Sequence, residues 1–155
     1  ALAETRPARV VALWHVLEHL PDPLDVLRAA VDRLEAGGLL VVATPNPGCP
    51  QFRTLGRYWM HLDAPRHLQL IPMGALERRL QPLRLRREYL TTQDPGSLRC
   101  RKYSWQTSLM SAFDGKGTKL AMRILGRAAR TILAPVERLP RAGVAYTMVF
   151  RKGGA

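Results

Sequence analysis

The chain has 155 residues, 46% hydrophobic and 23% charged, a balance that suits one globular core and excludes intrinsic disorder of the whole. Its net charge is +12, which raises a polyanionic partner, yet 20 of the 24 basic residues are scattered arginines of the kind a GC-rich coding sequence produces. With no nucleic-acid-binding motif beside them, nucleic acid is not the expected partner.

Two isolated cysteines, Cys49 and Cys100, exclude a CxxC zinc knuckle or redox pair and leave a disulfide between them open. There is no run of eighteen apolar residues and no basic stretch leading into an apolar one. The expectation is therefore no membrane span, no signal peptide and a cytoplasmic location.

Residues 9–14 and 39–44 are continuous apolar, β-branched runs, as in strands buried on both faces of a parallel sheet. Between them Asp22 can cap a helix with Pro23 in its first turn. Leu24, Val26, Leu27, Ala30, Val31 and Leu34 follow at helical spacing, and Gly37-Gly38 is the expected stop. This is a right-handed βαβ crossover. Residues 45–71 are irregular and rich in Pro, Gly and His, which predicts a binding loop. A short helix over 72–83 carries Leu76, Leu80 and Leu83 on one side, and a strand over 84–92 follows. Residues 96–140 are expected to form a helical insertion or lid of two helices, and residues 144–150 a last strand, all within a single α/β domain spanning 1–155.

In an open α/β sheet the ligand crevice lies at the carboxyl ends of the strands, so the residues after Trp14 and after Thr44 should share a site. If residues 15–19 form a helical turn, His15, Glu18 and His19 lie on one face. That face could bind a divalent metal, supply a general base, or merely cap the neighbouring elements. A second constellation is Trp59-Met60-His61-Leu62-Asp63-Ala64-Pro65-Arg66-His67, and these two segments hold all four histidines. A histidine beside a carboxylate can take a proton from a nucleophile, and Arg66 can grip a carboxylate or phosphate. The alternative is that Asp63 and Arg66 brace the loop over a packed Trp59. Over residues 118–133, Leu120, Ile124, Leu125, Ala128, Ile132 and Leu133 oppose Lys119, Arg123, Arg127 and Arg130. Such a helix can be a lid, a peripheral contact with an anionic membrane, or an insertion packed on the sheet with solvated arginines.

The run WHVLEHLPDP at a strand end, a helix, GG, the strand LLVVATPN and then W-x-H-L-D-x-P-R-H-L together resemble the class I S-adenosylmethionine-dependent methyltransferase domains of types 11, 12 and 23. The LEH element is also similar to ubiquinone-biosynthesis O-methyltransferases, where an acidic residue three positions before the Glu joins the Glu-His pair at a metal. Here that position is His15, and no metal ligand is assigned. The resemblance covers residues 9–92 and 144–152. It implies a partial Rossmann-like methyltransferase sheet: two parallel strands with a crossover helix, then C-terminal strands, with an inserted helical segment. It also implies S-adenosylmethionine as cofactor and a small-molecule O, N or C nucleophile as acceptor. By resemblance, Trp14, His15 and Glu18 lie beside the cofactor and Asn46, Trp59, Asp63 and Arg66 contact substrate. His61 or His67 acts as base, with His19 as the next candidate.

Two features depart from the family pattern. The residues before Trp14 contain neither the glycine-rich first motif nor the acidic residue that binds the ribose, and Ala8-Arg9 stands where Phe-Asp is usual. The expectation is the C-terminal portion of a domain, weakly active or inactive alone. The contrasting expectation is a non-catalytic methyltransferase-like remnant, or a basic binding module for nucleic acid or a membrane surface.

Overall fold

The computed structural model describes residues 6–113 and 118–153. β1 (Ala8–Trp14) lies parallel to β2 (Leu34–Pro45), while β4 (Ala145–Lys152) runs antiparallel between β2 and β3 (Leu85–Thr91), giving the order β1-β2-β4-β3. The crossover is α1 (Pro23–Asp32). It begins where its capping chemistry requires: Asp22 Oδ1 accepts from the Leu24 and Asp25 amides at 3.0 and 3.4 Å, and Pro23 needs no amide partner in the first turn. Leu27, Ala30 and Val31 of α1 join Leu40 and Val42 of β2 and Tyr146, Met148 and Phe150 of β4 in the main core.

Two expectations for this half need correction. β1 is an edge strand of the described sheet, so Val10 and Trp14 are about half exposed instead of buried on both faces. Gly37-Gly38 does not stop the helix. α1 ends at Asp32 with the Arg33 amide bonded back to Ala29 O, and both glycines lie inside β2, where the register with β1 slips between Ala8 and Val10. Gly37 has φ +77°, and a Cβ on Gly38 would lie 3.0 Å from Glu35 O and 3.2 Å from Ala8 O. Glycine there permits an irregular pairing that no side chain would fit.

Residues 45–71 are more ordered than expected. They hold α2 (Pro50–Leu55), whose first turn is capped by Cys49 Sγ accepting from the Phe52 amide, and 3₁₀ turns at Gly56–Tyr58 and Met60–Leu62. α3 (Met73–Leu80) buries Leu76 and Leu80, and the Tyr146 hydroxyl donates to Ile71 O just before it at 2.9 Å. Cys49 and Cys100 are free thiols, and burial pushes the Cys49 thiol up to about 11.

α4 (Pro95–Ala112) and α5 (Lys119–Glu137) pack side by side. Asp94 caps α4, accepting from the Ser97 amide and hydroxyl and from Thr147 of β4, so the cap also locks the helix to the sheet. A Cβ on Gly126 would lie 2.5 Å from Gln106 Cα, so the two helices approach as closely as a bare glycine allows. Glu137, fully buried, accepts from Gln51 Nε2 at 2.7 Å and Trp105 Nε1 at 2.8 Å, and Ser104 donates its hydroxyl to Gln51, tying α2, α4 and α5 together. No helix of the described residues is long and apolar enough to cross a membrane.

Candidate functional site

β1 ends at Trp14, and His15 turns the chain through the left-handed region with φ 52° while its amide still bonds Ala43 O at 2.9 Å. Leu17–His19 is a 3₁₀ turn anchored by the buried Leu17, so the α-helical face expected for His15, Glu18 and His19 does not form. Instead His15 Nδ1 donates to Glu18 Oε1 at 2.9 Å, and Thr44, at the carboxyl end of β2, donates to Oε2 at 3.0 Å. Burial alone would raise the Glu18 carboxyl, but the bonds from His15, its own backbone amide and Thr44 outweigh it and hold the group below the ordinary carboxylate range.

The segment after β2 folds back over this turn. Leu68 N donates to Glu18 O at 2.8 Å and Gln69 Nε2 to Leu20 O at 2.6 Å. Asp63 (φ 40°) offers its carbonyl to the Arg66 and His67 amides. The Asp63 carboxylate pairs with Arg66 at 2.7 Å, and the bond from that guanidinium keeps the carboxyl below its usual range. His19 Nδ1 donates to Arg66 O at 2.9 Å, and His67 Nδ1 donates to His61 O at 2.8 Å. A neutral imidazole held in this way keeps its proton on Nδ1 and its lone pair on Nε2. The two rings meet edge to face with centroids 4.7 Å apart. One ligand atom each from Glu18, His19 and His67 lies within 4.8 Å of the others, a carboxylate and two imidazoles of the kind that hold a divalent transition metal. His67 takes the third place that the sequence spacing offered to His15.

His61 differs from its neighbours. Its Nε2 is buried without a partner, and burial, reinforced by the nearby His15 and His67, lowers its pKa to about 4. At neutral pH it is an uncharged donor or acceptor and a poor acceptor of protons.

A cavity of about 500 Å³ opens at the carboxyl ends of β1 and β2, within the range that accommodates small ligands. His15, Glu18 and His19 form one side and His61, Asp63, Arg66 and His67 another. A third wall comes from Cys100, Thr107 and Ser111 of α4. Their i, i+7, i+11 spacing puts them on one helical face, a signal too weak to single out in sequence. Three predicted site residues do not line the cavity. Trp14 is exposed against Gly96. Asn46 is buried and spends its amide on Arg141 O and Gly143 O and its oxygen on the Gly48 amide. Trp59 is buried beneath the loop, 5.2 Å from the Phe52 ring and 5.1 Å from the His61 ring. Asn46 and Trp59 therefore shape the loop from below, where the sequence reading had them on substrate.

Residues 1–83 match a family model described as a methyltransferase domain. The chain belongs to the methyltransferase-domain family. This methyltransferase domain is 32% identical over 96 residues to the ubiquinone biosynthesis O-methyltransferase of Haemophilus ducreyi, a match covering 60% of this chain and 36% of that one. Among solved structures it resembles the [4+2]-cyclase SpnF, with a TM-score of 0.56 at 16% identity over 100% of this chain and 53% of that one. It also resembles a putative sarcosine dimethylglycine methyltransferase from Galdieria sulphuraria, with a TM-score of 0.55 at 13% identity over 97% of this chain and 56% of that one. A further likeness, to the mycolic acid cyclopropane synthase CmaA1 complexed with SAH and CTAB, has a TM-score of 0.52 at 15% identity over 96% of this chain and 56% of that one. At such identities the structural likeness shows the fold, which is Rossmann-like α/β. The methyltransferase domain spans 36% of the curated relative and little more than half of these structures.

Proposed function

We propose that this methyltransferase domain serves S-adenosylmethionine-dependent methyl transfer to an O, N or C nucleophile of a small molecule, and that it forms the acceptor-facing side of the site. When bound, the cofactor supplies an electrophilic sulfonium methyl group. The observation that carries the reading is the cavity at the carboxyl ends of β1 and β2, lined by four histidines and the ionised Glu18, in a chain whose first 83 residues match the family. The unpartnered, buried Nε2 of His61 in the cavity wall fits a polar ligand atom that would complete it.

The chemistry asked of these residues is alignment and proton removal, since direct displacement needs no covalent enzyme intermediate. His67 is the proposed base: Nδ1–H is held by His61 O, so the Nε2 lone pair is available to take the proton that the acceptor gives up. Asp63, whose carboxylate is 4.0 Å from His67 Nε2, stabilises the imidazolium that results. His19 is the second candidate by the same geometry, and Arg66, whose guanidinium pairs with Asp63, is the proposed contact for an anionic acceptor group. A second reading is favoured by the Glu18, His19 and His67 cluster, which would hold a divalent cation acting as a Lewis acid on the acceptor oxygen. No glycine-rich nucleotide loop occurs within these residues, which supports weak or absent activity of this chain alone.

Isothermal titration with S-adenosylhomocysteine tests the main reading. Micromolar binding that weakens on His15→Ala supports it. Heat indistinguishable from dilution would leave the family assignment standing and overturn activity of this chain alone.

A further inference from the structure

Helix α5 buries one side and leaves another bare. Gly126 and Glu137 are buried, and Met122, Ala129 and Leu133, which share their side at helical spacing, are half-buried. Leu120, Ile124, Leu125, Ile132, Val136 and, just past the helix, Leu139 are 42–73% exposed. At 3.6 residues per turn the exposed apolar positions fill an arc of about 160° along the whole helix. Single exposed leucines are ordinary, whereas a continuous row along a 19-residue helix marks a contact surface. Lys119, Arg123, Arg127, Arg130 and Arg138 occupy the adjoining arc, and the one acid between positions 118 and 139 is the buried Glu137.

We propose that this face of α5 docks in the plane of an anionic phospholipid surface, with the apolar row among the acyl chains and the cations at the headgroups. The charge pattern decides the occupant. A second copy would set these cations against one another in a chain already carrying +12. A nucleic acid would meet the cations but leave the apolar row in water. An anionic bilayer offers both an apolar layer and negative charge along one plane, and the helix is not apolar enough to cross it. The fold also leaves the cavity accessible in this pose. α4 turns Cys100, Thr107 and Ser111 to the cavity, while Lys102 O, Trp105 and Gln106 meet α5 on another side.

The test is co-sedimentation of the full chain with vesicles of phosphatidylcholine alone or with about one third phosphatidylglycerol. Binding is expected to the anionic vesicles only, to fall with salt, and to weaken at least tenfold in the double variant Ile124→Glu/Ile132→Glu, whose exposed positions leave the fold unchanged by circular dichroism. Should that variant fold poorly, Ile132→Cys bearing an environment-sensitive dye is expected to shift to the blue on anionic vesicles. No binding, equal binding by the glutamate variant, or an unshifted dye overturns the proposal. So does a dimer in light scattering that the glutamate variant splits, since this face would then join two copies.

Discussion

At the scale of single residues, four histidines that look interchangeable in sequence have different environments. His61 is walled in, and its pKa of about 4 makes it a weak base at neutral pH. His19 and His67 have Nδ1 committed to backbone carbonyls and Nε2 left for chemistry. In the protein that carries this domain, His67→Ala is therefore expected to lower kcat by about 100-fold, the usual loss for a general base, while His61→Ala lowers it less than about tenfold. Transfer of a radiolabelled methyl group reads both, and the reverse ranking would move the base to His61. Burial of neutral His61 also has a pH signature. Between its ordinary 6.5 and about 4, the unfolded chain binds a proton that the folded chain does not, so stability falls as pH drops through that window. His61→Asn should flatten the dependence of the urea midpoint on pH above about 4.5, below which loss of the Glu18 carboxylate begins to contribute. The cation reading has its own test at this scale. Zn²⁺ or Mn²⁺ should raise the melting temperature of the parent but not of His19→Ala or His67→Ala; an equal rise in all three would place the ion elsewhere.

At the scale of elements, α4 does what the loop residues alone cannot: it closes the cavity and holds α5 away from the sheet. Its position rests on the Asp94 cap shared with Thr147 and on the Glu137 cluster. Asp94→Ala is expected to cost about 1–2 kcal/mol, and Glu137→Ala, which strands Gln51 and Trp105, about 3 kcal/mol by urea denaturation. Gly126→Ala should cost about 2 kcal/mol, because its methyl group meets the Gln106 backbone and cannot be relieved by a rotamer change. The helices themselves were readable from periodicity and caps, as Asp22-Pro23 shows at α1. Boundaries set by tertiary pairing were not: Gly37-Gly38 has the composition of a helix stop, yet its place is decided by how β2 aligns with β1.

At the scale of the molecule, the apolar runs, the capped crossover and the spaced loop motif were enough to place the chain in its family, since each depends on local periodicity and on residues close in sequence. What they could not supply was the identity of neighbours far apart in the chain. Glu18 looked like a partner of His19 and His15 on one helical face, but a 3₁₀ turn and the fold-back of residues 63–69 bring His67 from 49 positions away instead. Asn46 and Trp59 carry the residue types of a binding site, yet Asn46 is consumed by backbone bonds and Trp59 packs beneath the loop with its Nε1 buried and unpartnered. The outward row on α5 was visible as an amphipathic pattern, whereas which side faces water depended on Gly126 and Glu137 meeting α4. Local chemistry writes the elements and the family into the sequence. Which polar groups are left unspent, and so available for function, is decided only when distant segments pack and satisfy the rest.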